Sequence, residues 1–309
     1  MIISASRRTD IPAAYSEWFF NRIKEGFAVV RNPVNHRQIS RVSLSPDVVD
    51  CIVFWTKYPE PMIERLGELK DYNYYFQFTL TPYGADIESK IPPKSERISS
   101  FLKLAERIGK ERVVWRYDPI IMSEEMDAEW HIKNFEELAE ALAGKTERCV
   151  ISFLDDYYRV PGEALGRLGL RAPTKEEEKV LARSFSEIAK RYGFELRSCC
   201  EGDLEEEGVL HGSCIDAELI QRIAGAGMEI PKDKNQRENC LCAQSIDIGA
   251  YDTCPCGCVY CYANHGEILV KQNAAAHDAN SPIICGSIPD IADIPQKEGV
   301  SFITGQIMF

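Results

Sequence analysis

The sequence has no long apolar segment and no excess of basic residues. No run of about 18 consecutive apolar residues, the length that a transmembrane helix needs, occurs among the 309 residues. The opening residues, MIISASRRTDIP, contain an apolar run far too short for a signal peptide. We therefore expect a soluble, cytoplasmic protein with no membrane partner.

Lysine and arginine are outnumbered by acidic residues, 36 against 48, which gives a formal net charge of −12. A broad basic surface for phosphate contacts is thereby disfavoured, and nucleic acid would need a local groove to bind. Histidine is also scarce: the five histidines show no ligand spacing among themselves. A histidine-based metal site is therefore not indicated.

Cysteine, by contrast, is abundant, with twelve residues. In a short secreted chain an even number would suggest disulfides, but this chain is long and has no export signal, so metal or cluster ligation is the better interpretation. Cys51 and Cys149 stand alone in apolar runs and are expected to be small buried hydrophobes. Nine others lie between Cys199 and Cys261, with Cys285 beyond them.

Short β-branched or aromatic runs alternate with helical patterns up to about residue 225, which indicates a parallel sheet built from βα units. The candidate strands are residues 2–6, 27–30, 51–55, 74–80, 112–117, 148–154 and 194–198, with a local hairpin at 39–44. Thr174 and Glu177 form a capping box that predicts a helix, and Gly193 predicts its end.

These patterns predict an α/β fold, a complete or partial (β/α) TIM-type barrel with a Cys-rich C-terminal appendage; a doubly wound open sheet is the alternative. We place the barrel at residues 1–228 and an iron-sulfur-binding appendage, folded onto the barrel mouth, at 229–309. The appendage has few apolar runs of its own, so a bound metal would supply the missing stability.

Polar or reactive residues end each predicted strand, and in such barrels the active site lies at the C-terminal edge of the strands. The residues at these ends are Arg7, Arg8, Thr9, Asp10, Trp55, Thr56, Lys57, Gln77, Thr79, Arg116, Tyr117, Asp118, Ser152, Asp155, Ser198, Cys199, Cys200 and Glu201. A charged, concave pocket is expected there. The candidate catalytic residues are Arg8, Asp10, Lys57, Arg116, Asp118 and Glu201, the last as a proton acceptor.

Residues 251–264, here called the three-cysteine loop, carry Cys254, Cys258 and Cys261 in the spacing Cys-x-x-x-Cys-x-x-Cys, with Tyr260 before the last. Three thiolates on one tight loop can hold three irons of a 4Fe-4S cubane and leave the fourth iron open to a non-protein ligand. Cys256 lies inside the gap, and its side chain is expected to point away from the cluster.

Four more cysteines, Cys199, Cys214, Cys240 and Cys242, could complete a second, closed site for zinc or an auxiliary iron-sulfur cluster. Alternatively, Cys240 or Cys242 supplies a fourth ligand to the first cluster, which would close it and abolish catalysis at that iron. Cys200 is left without a role.

The spacing of the three-cysteine loop, with its aromatic residue, resembles the radical S-adenosylmethionine (SAM) superfamily. The resemblance implies an open iron that chelates SAM and a reduced cluster that cleaves it to a 5′-deoxyadenosyl radical, with flavodoxin or ferredoxin as reductant. Tyr260 and Lys57 are then candidates for cofactor binding, with Lys57 or Arg116 as partner of the SAM carboxylate. The superfamily usually carries this loop after the first strand; here the loop must reach back to the barrel mouth.

Two longer resemblances support that interpretation. The segment from YYFQFTLTP to RVVWRYDPII resembles spore photoproduct lyase-like radical SAM proteins, in which a strand ends in Arg-x-x-Pro, here Arg116 to Pro119. Nearly the whole chain resembles the bacterial family of domain of unknown function 1848, through SASRRTDIPA, VFWTK, RYDPI, HGSCID, KDKNQR, SIDIGAYDTC and GCVYCYAN. That family gives no substrate; we expect a small molecule or a peptide.

Two other functions stay open at this point. The cysteines could form closed zinc or iron-sulfur sites in a non-catalytic barrel that acts as a binding or electron-transfer module. A barrel hydrolase could instead use Asp10, Asp118 and Glu201, with a purely structural metal.

Overall fold

The computed structural model describes residues 1–154, 162–201 and 204–307, so the predicted strand-end residue Asp155 lies outside the described part. The strands are β1 (Ile2–Ala5), β2 (Phe27–Arg31), β3 (Ile39–Ser43), β4 (Cys51–Thr56), β5 (Tyr74–Thr79), β6 (Val113–Ile120), β7 (Arg148–Phe153), β8 (Glu195–Cys199), β9 (Leu210–Gly212), β10 (Ala226–Met228), β11 (Ile246–Asp247), β12 (Gln296–Lys297) and β13 (Ile303–Ile307). The helices are α1 (Ile11–Ala14), α2 (Ser16–Glu25), α3 (Glu60–Ile63), α4 (Lys94–Ile108), α5 (Ala128–Leu142), α6 (Gly162–Arg167), α7 (Lys175–Tyr192), α8 (Ala217–Ala224) and α9 (Glu267–Ala275).

A large parallel sheet organises the fold. Its eight strands lie in the order β11-β1-β4-β5-β6-β7-β8-β9, and each neighbouring pair is parallel. The predicted α/β class is thereby confirmed. The barrel stays a prediction, because β11 and β9 end the strand order and no ladder joins them in the described part of the chain.

Every predicted strand is present, but β2 lies outside the main sheet. Strand β2 pairs with β3 in the predicted antiparallel hairpin, beside the main sheet, and β12 extends that hairpin in parallel. The main sheet is completed instead by β9 and β11, two short strands that the sequence patterns did not predict.

The two faces of the sheet bury different side chains, because successive residues of a strand point to opposite sides. One face packs Phe54 against Phe76, whose ring centroids lie 4.6 Å apart, and contributes to the main core with α4, α5 and α7. The other face carries Val53 and Tyr75 and packs on the segments that bear Cys214, Cys240 and Cys242. Cys51 and Cys149 are fully buried, as expected.

Helix α7 confirms the local signals. The Thr174 side chain accepts from the backbone of Glu177, and the Glu177 side chain accepts from the backbone of Thr174, so the capping box is complete. Gly193 ends the helix with a left-handed φ of 78°, a conformation that costs glycine little.

Three strand ladders join the segment after residue 228 to the preceding part of the chain. Strand β11 pairs with β1, β12 with β3, and β13 with β10. Within the described residues, no helix has the length and apolar character needed to cross a membrane.

Candidate functional site

A cavity of about 520 Å³ opens where the main parallel strands end. Residues that close β1, β4, β5, β6, β7 and β8 form its wall, as the strand-end pattern predicts. Five of the six candidate catalytic residues line it, namely Arg8, Asp10, Lys57, Arg116 and Asp118. The sixth, Glu201, lies just behind the wall, where its carboxylate accepts from the backbone N–H of Phe153 at 3.1 Å.

The three-cysteine loop reaches back to this same sheet edge. Its Cys254, Cys258, Cys261 and Tyr260 all line the cavity. The Tyr15 hydroxyl donates to the carbonyl of Thr253 at 2.5 Å. The late position of the motif in the sequence is therefore compatible with a site at the strand ends.

The turn before α4 holds the other end of the loop. The N–H of Val259 donates to the carbonyl of Ile87 at 3.0 Å, and the N–H of Lys90 to that of Cys256 at 3.2 Å. Gly257 completes this contact with a φ of +70°, and a Cβ at this position would lie 2.5 Å from the Ser89 hydroxyl oxygen. A side chain at this position would have to move the Ser89 hydroxyl and adopt a φ that glycine alone tolerates readily.

Cys256 does not point away from its neighbours. It is 8% exposed, lines the cavity and interacts with the thiol of Cys254. The expectation that it faces away is wrong, because a position inside the gap between two ligands does not by itself fix the direction of a side chain in an irregular turn.

A buried ionic network lies beneath the loop, centred on Glu88. Its carboxylate accepts from Lys57 Nζ at 2.7 Å and from Arg97 Nη1 at 3.1 Å. The hydroxyl of Tyr260 also donates to it. Burial acts to raise the pKa of Glu88, but the two cations hold that pKa below its ordinary value. Lys57 is thus engaged by a carboxylate, although it had been a candidate for the carboxylate of SAM.

Arg116 is similarly engaged. Its Nε lies 3.0 Å from Asp118 Oδ2, and its Nη1 lies 3.1 Å from the Cys214 sulfur. Asp118 also accepts from the hydroxyl of Ser152. The pair therefore presents one fixed, largely neutralised polar edge to the cavity.

Asp10 has a clear local role. Its carboxylate accepts from the N–H of Ala13 at 3.0 Å, capping α1, and from the N–H of Lys57 at 2.8 Å. Burial raises the pKa of Asp10 to about 6, against these donors. Asp10 thereby fixes the end of β4, and each of its two carboxylate oxygens already accepts a backbone N–H. Burial likewise raises the pKa of Glu201 to about 7.

Sequence patterns missed Asp247 and left Arg7 among the many strand-end residues. Asp247 accepts from the hydroxyls of Ser4 at 2.7 Å and Ser6 at 2.6 Å and from the N–H of Arg7 at 2.9 Å, so β11 orders the turn after β1. The Arg7 guanidinium lies 5.9 Å from the centre of the Trp55 ring, and that of Arg8 lies 5.3 Å from the centre of the Tyr251 ring. The SIDIG segment belongs to a motif noted in the sequence, but no local pattern identifies Asp247 as the acceptor that orders this turn.

The predicted second set of cysteines lines the same cavity. Cys199, Cys214, Cys240 and Cys242 are all present there, and so is Cys200. In residues 1–154, 162–201 and 204–307, however, no three Cys, His, Asp or Glu side chains are arranged to hold a single metal ion.

The three-cysteine loop still fits an iron-sulfur cubane in its donor chemistry. Each cysteine of such a cluster binds a different iron, so the three sulfurs need not converge on one point. Burial raises the pKa values of Cys258 and Cys261. Loss of their protons would therefore accompany metal binding rather than precede it.

Comparison with known proteins gives one family and several distant structures, of which two follow. A family model described as "Domain of unknown function (DUF1848)" matches residues 2–263, and no curated protein gives a significant match. A radical SAM methyltransferase from Sphaerobacter thermophilus aligns over 50% of this chain and 41% of its own, with 20% identity and a TM-score of 0.33. A putative alpha-L-fucosidase from Bacteroides thetaiotaomicron VPI-5482 aligns over 51% of this chain and 66% of its own, with 11% identity and a TM-score of 0.25.

The chain spans less than half the length of the methyltransferase, at 41%. TM-scores as low as these two establish no shared fold, and neither structure bears on what this chain does.

Proposed function

Since the chain belongs to the family described as Domain of unknown function (DUF1848), as its motifs indicated, and that description assigns no activity, we propose its function from the site. The protein is an iron-sulfur enzyme of the radical SAM type, in which Cys254, Cys258 and Cys261 hold a 4Fe-4S cluster. One observation carries the proposal: a three-cysteine loop near the end of the chain lies on the wall of a cavity at the strand ends of the sheet.

The loop offers the cluster three thiols and a rigid base. When bound, such a cluster would leave one iron open to SAM. Once reduced, it would supply the electron for cleavage of SAM to a 5′-deoxyadenosyl radical. Tyr260 closes the base: its ring lies 5.5 Å from Lys57 Nζ, and its hydroxyl donates to Glu88. These contacts hold the backbone between Cys258 and Cys261.

Arg7 and Arg8 are better placed than Lys57 or Arg116 to meet an anionic group of SAM or substrate. Lys57 and Arg116 are each within hydrogen-bond distance of a carboxylate, whereas Arg8 is 4.0 Å from the nearest carboxylate oxygen of Asp247. The guanidinium groups of Arg7 and Arg8 approach aromatic faces, which orients them while their N–H groups still donate.

The polar edge formed by Arg116, Asp118 and Ser152 would orient a small-molecule or peptide substrate. Because the Arg116 charge is balanced by Asp118, this edge favours hydroxyl or amide groups over a second anion. A flavodoxin or ferredoxin would supply the electron.

The two competing functions are less well supported. A hydrolase would need a free carboxylate in the cavity, but Asp10 accepts two backbone N–H groups, Asp118 binds Arg116 and Glu201 does not line the cavity. Closure of the cluster by Cys240 or Cys242 is disfavoured, because their thiols interact with Cys200, with Cys214 and with each other. A non-catalytic module would require the cluster at the three-cysteine loop to be closed in this way.

Anaerobic purification followed by iron and sulfide analysis, then incubation with SAM and dithionite, tests the proposal. At least about four irons per chain and formation of 5′-deoxyadenosine are expected. Cys258→Ala should abolish the product, whereas Cys285→Ala, a matched change outside the cavity, should leave it unchanged. A cluster whose electronic spectrum ignores SAM, or zinc in place of iron at this loop, would rule out the proposed chemistry.

A further inference from the structure

Five cysteine side chains form a closed ring of thiol contacts, here called the thiol ring. The sulfurs of Cys199 and Cys214 lie 2.9 Å apart. Side-chain interactions between thiols continue the ring from Cys214 to Cys242, from Cys242 to Cys240, from Cys240 to Cys200 and from Cys200 back to Cys199. Each thiol therefore interacts with two others.

Three separate segments build this ring. Cys199 and Cys200 end β8, Cys214 precedes α8, and Cys240 and Cys242 lie in an irregular turn. Consecutive residues of a strand point to opposite faces. Cys200, however, has a left-handed φ of 64°, and this turn returns its side chain to the side of Cys199.

Backbone hydrogen bonds clamp the irregular turn to the segment that carries Cys214. The N–H of Ala243 donates to the carbonyl of Ile215 at 2.9 Å, and the N–H of Asp233 donates to the carbonyl of Cys242 at 2.9 Å. Three members of the ring are nearly buried, with Cys214 7%, Cys240 5% and Cys242 2% exposed. The ring is thus part of the folded framework.

The surroundings suit sulfur that carries negative charge. Arg116 donates to the Cys214 sulfur at 3.1 Å. The backbone N–H of Cys242 interacts with the Cys240 sulfur, and that of Ile215 with the Cys242 sulfur. Donors of this kind around thiolate ligands hold their orientation and offset their charge.

We propose that the thiol ring binds a thiophilic metal centre, separate from the three-cysteine loop, through Cys199, Cys214, Cys240 and Cys242. A tetrathiolate set suits an iron-sulfur cluster, in which each thiolate binds a different iron. It also suits zinc, for which the four sulfurs would have to converge from their present positions. Cys200 is the remaining member, because adjacent cysteines fall short of the usual ligand spacing. Loss of the thiol protons to a metal would replace the thiol–thiol interactions with metal–sulfur bonds.

Simple thiol packing explains the ring less well. Disulfides could pair at most four of the five cysteines, and thiol packing alone would not require charged and N–H donors aimed at sulfur. The ring also lines the cavity that holds the three-cysteine loop, so a centre here would fix the far wall of that cavity to β8.

A background variant with Cys254, Cys258 and Cys261 all changed to serine separates this site from the proposed catalytic cluster. Purified anaerobically, the full-length variant should retain about one zinc, or about four irons with sulfide, per chain. Adding Cys214→Ser and Cys242→Ser should reduce that content at least tenfold, whereas adding Cys285→Ser should not change it. Zinc and iron analysis distinguishes the two kinds of centre. A folded background variant without metal would overturn the proposal, whether or not the catalytic proposal survives.

Alkylation of the wild-type chain covers the case in which these variants fail to fold. Iodoacetamide labelling with peptide mass spectrometry should show the four proposed ligands protected in the native protein and modified after treatment with a chelator. Cys285 should label equally with and without the chelator. Equal labelling of the ring under both conditions, or a Cys199–Cys214 disulfide in metal-free protein, would overturn the assignment.

Discussion

Glu88 holds together the buried ionic network beneath the three-cysteine loop. Its side chain is only 1% exposed, yet it meets Lys57 and Arg97, which are 13% and 2% exposed. Removing one charge of a buried set leaves the others desolvated without compensation. The network therefore links β4, α4 and the three-cysteine loop through Tyr260, and its loss should be costly.

We expect Glu88→Gln to lower the free energy of unfolding by about 3 to 5 kcal/mol, because two buried cations lose their carboxylate. Chemical denaturation followed by far-UV circular dichroism measures the change. Glu64→Gln, which removes an exposed carboxylate next to Lys103, is the matched control and should leave the midpoint unchanged. Equal effects of the two variants would mean that the buried network has no special role.

Glu201 makes stability depend on pH. Burial raises its pKa from 4.5 to about 7, opposed by the N–H of Phe153. Between those values the folded chain keeps a proton that the unfolded chain has released, so stability falls as pH rises through this window.

In wild type, Glu201 makes the free energy of unfolding fall between about pH 5 and about pH 8. Glu201→Gln should therefore reduce that fall by about 2 to 3 kcal/mol. Denaturation at several pH values measures it. A smaller slope of the same sign should persist below about pH 6, because burial also raises the pKa of Asp10. Glu206→Gln, at an exposed position of the same acidic segment, should not alter the slope; if it does so equally, Glu201 is not the group responsible.

At the scale of elements, the three-cysteine loop is positioned by one close approach. Gly257 faces the Ser89 hydroxyl, and its φ of +70° disfavours any side chain. Gly266, just after the loop, has a φ of 178°, and a Cβ there would meet no atom within 4 Å. The two glycines therefore form a natural pair for testing the loop.

Gly257→Ala should displace the loop from the turn before α4 and remove up to about four irons per chain from anaerobically purified protein, whereas Gly266→Ala should retain them. Adding Ser89→Gly to Gly257→Ala should restore part of the iron, since it removes the clash but leaves the backbone strain of about 1 to 2 kcal/mol. Full iron content in Gly257→Ala would show that the close approach does not position the ligands.

At the scale of the whole molecule, the predicted C-terminal appendage, residues 229–309, contributes a strand to the sheet that it was predicted to cover. Strand β11 lies at one edge of the main sheet, and Asp247 at its end orders the turn after β1. The predicted division at residue 228 therefore separates segments that share backbone hydrogen bonds.

A chain truncated after residue 228 should aggregate or lose cooperative unfolding, because it exposes the edge of β1 and leaves the turn after β1 without Asp247. A chain truncated after residue 293 keeps β11 and the three-cysteine loop, and it should stay folded with a lower melting temperature. Size-exclusion chromatography and thermal unfolding distinguish the outcomes. A monodisperse, cooperatively folded 1–228 chain would instead establish an independent barrel.

Local patterns in the sequence were sufficient for most of the elements. Seven strands, the hairpin at β3, the capping box at Thr174 and the buried state of Cys51 and Cys149 follow from side-chain period, cap chemistry and apolar context, which act over a few residues. The collection of polar residues at the strand ends was also predictable, because parallel strands place their ends at one edge.

Only the tertiary structure decided which groups meet. Strands β9 and β11 are too short to show a period, and the partners of Lys57, Arg116 and Asp247 come from distant segments. The sequence alone predicted the three-cysteine loop and the chemistry that we propose for it. Its return to the strand ends, and the closing of the thiol ring by Cys200, depend on contacts between residues far apart in the chain, which local spacing does not encode.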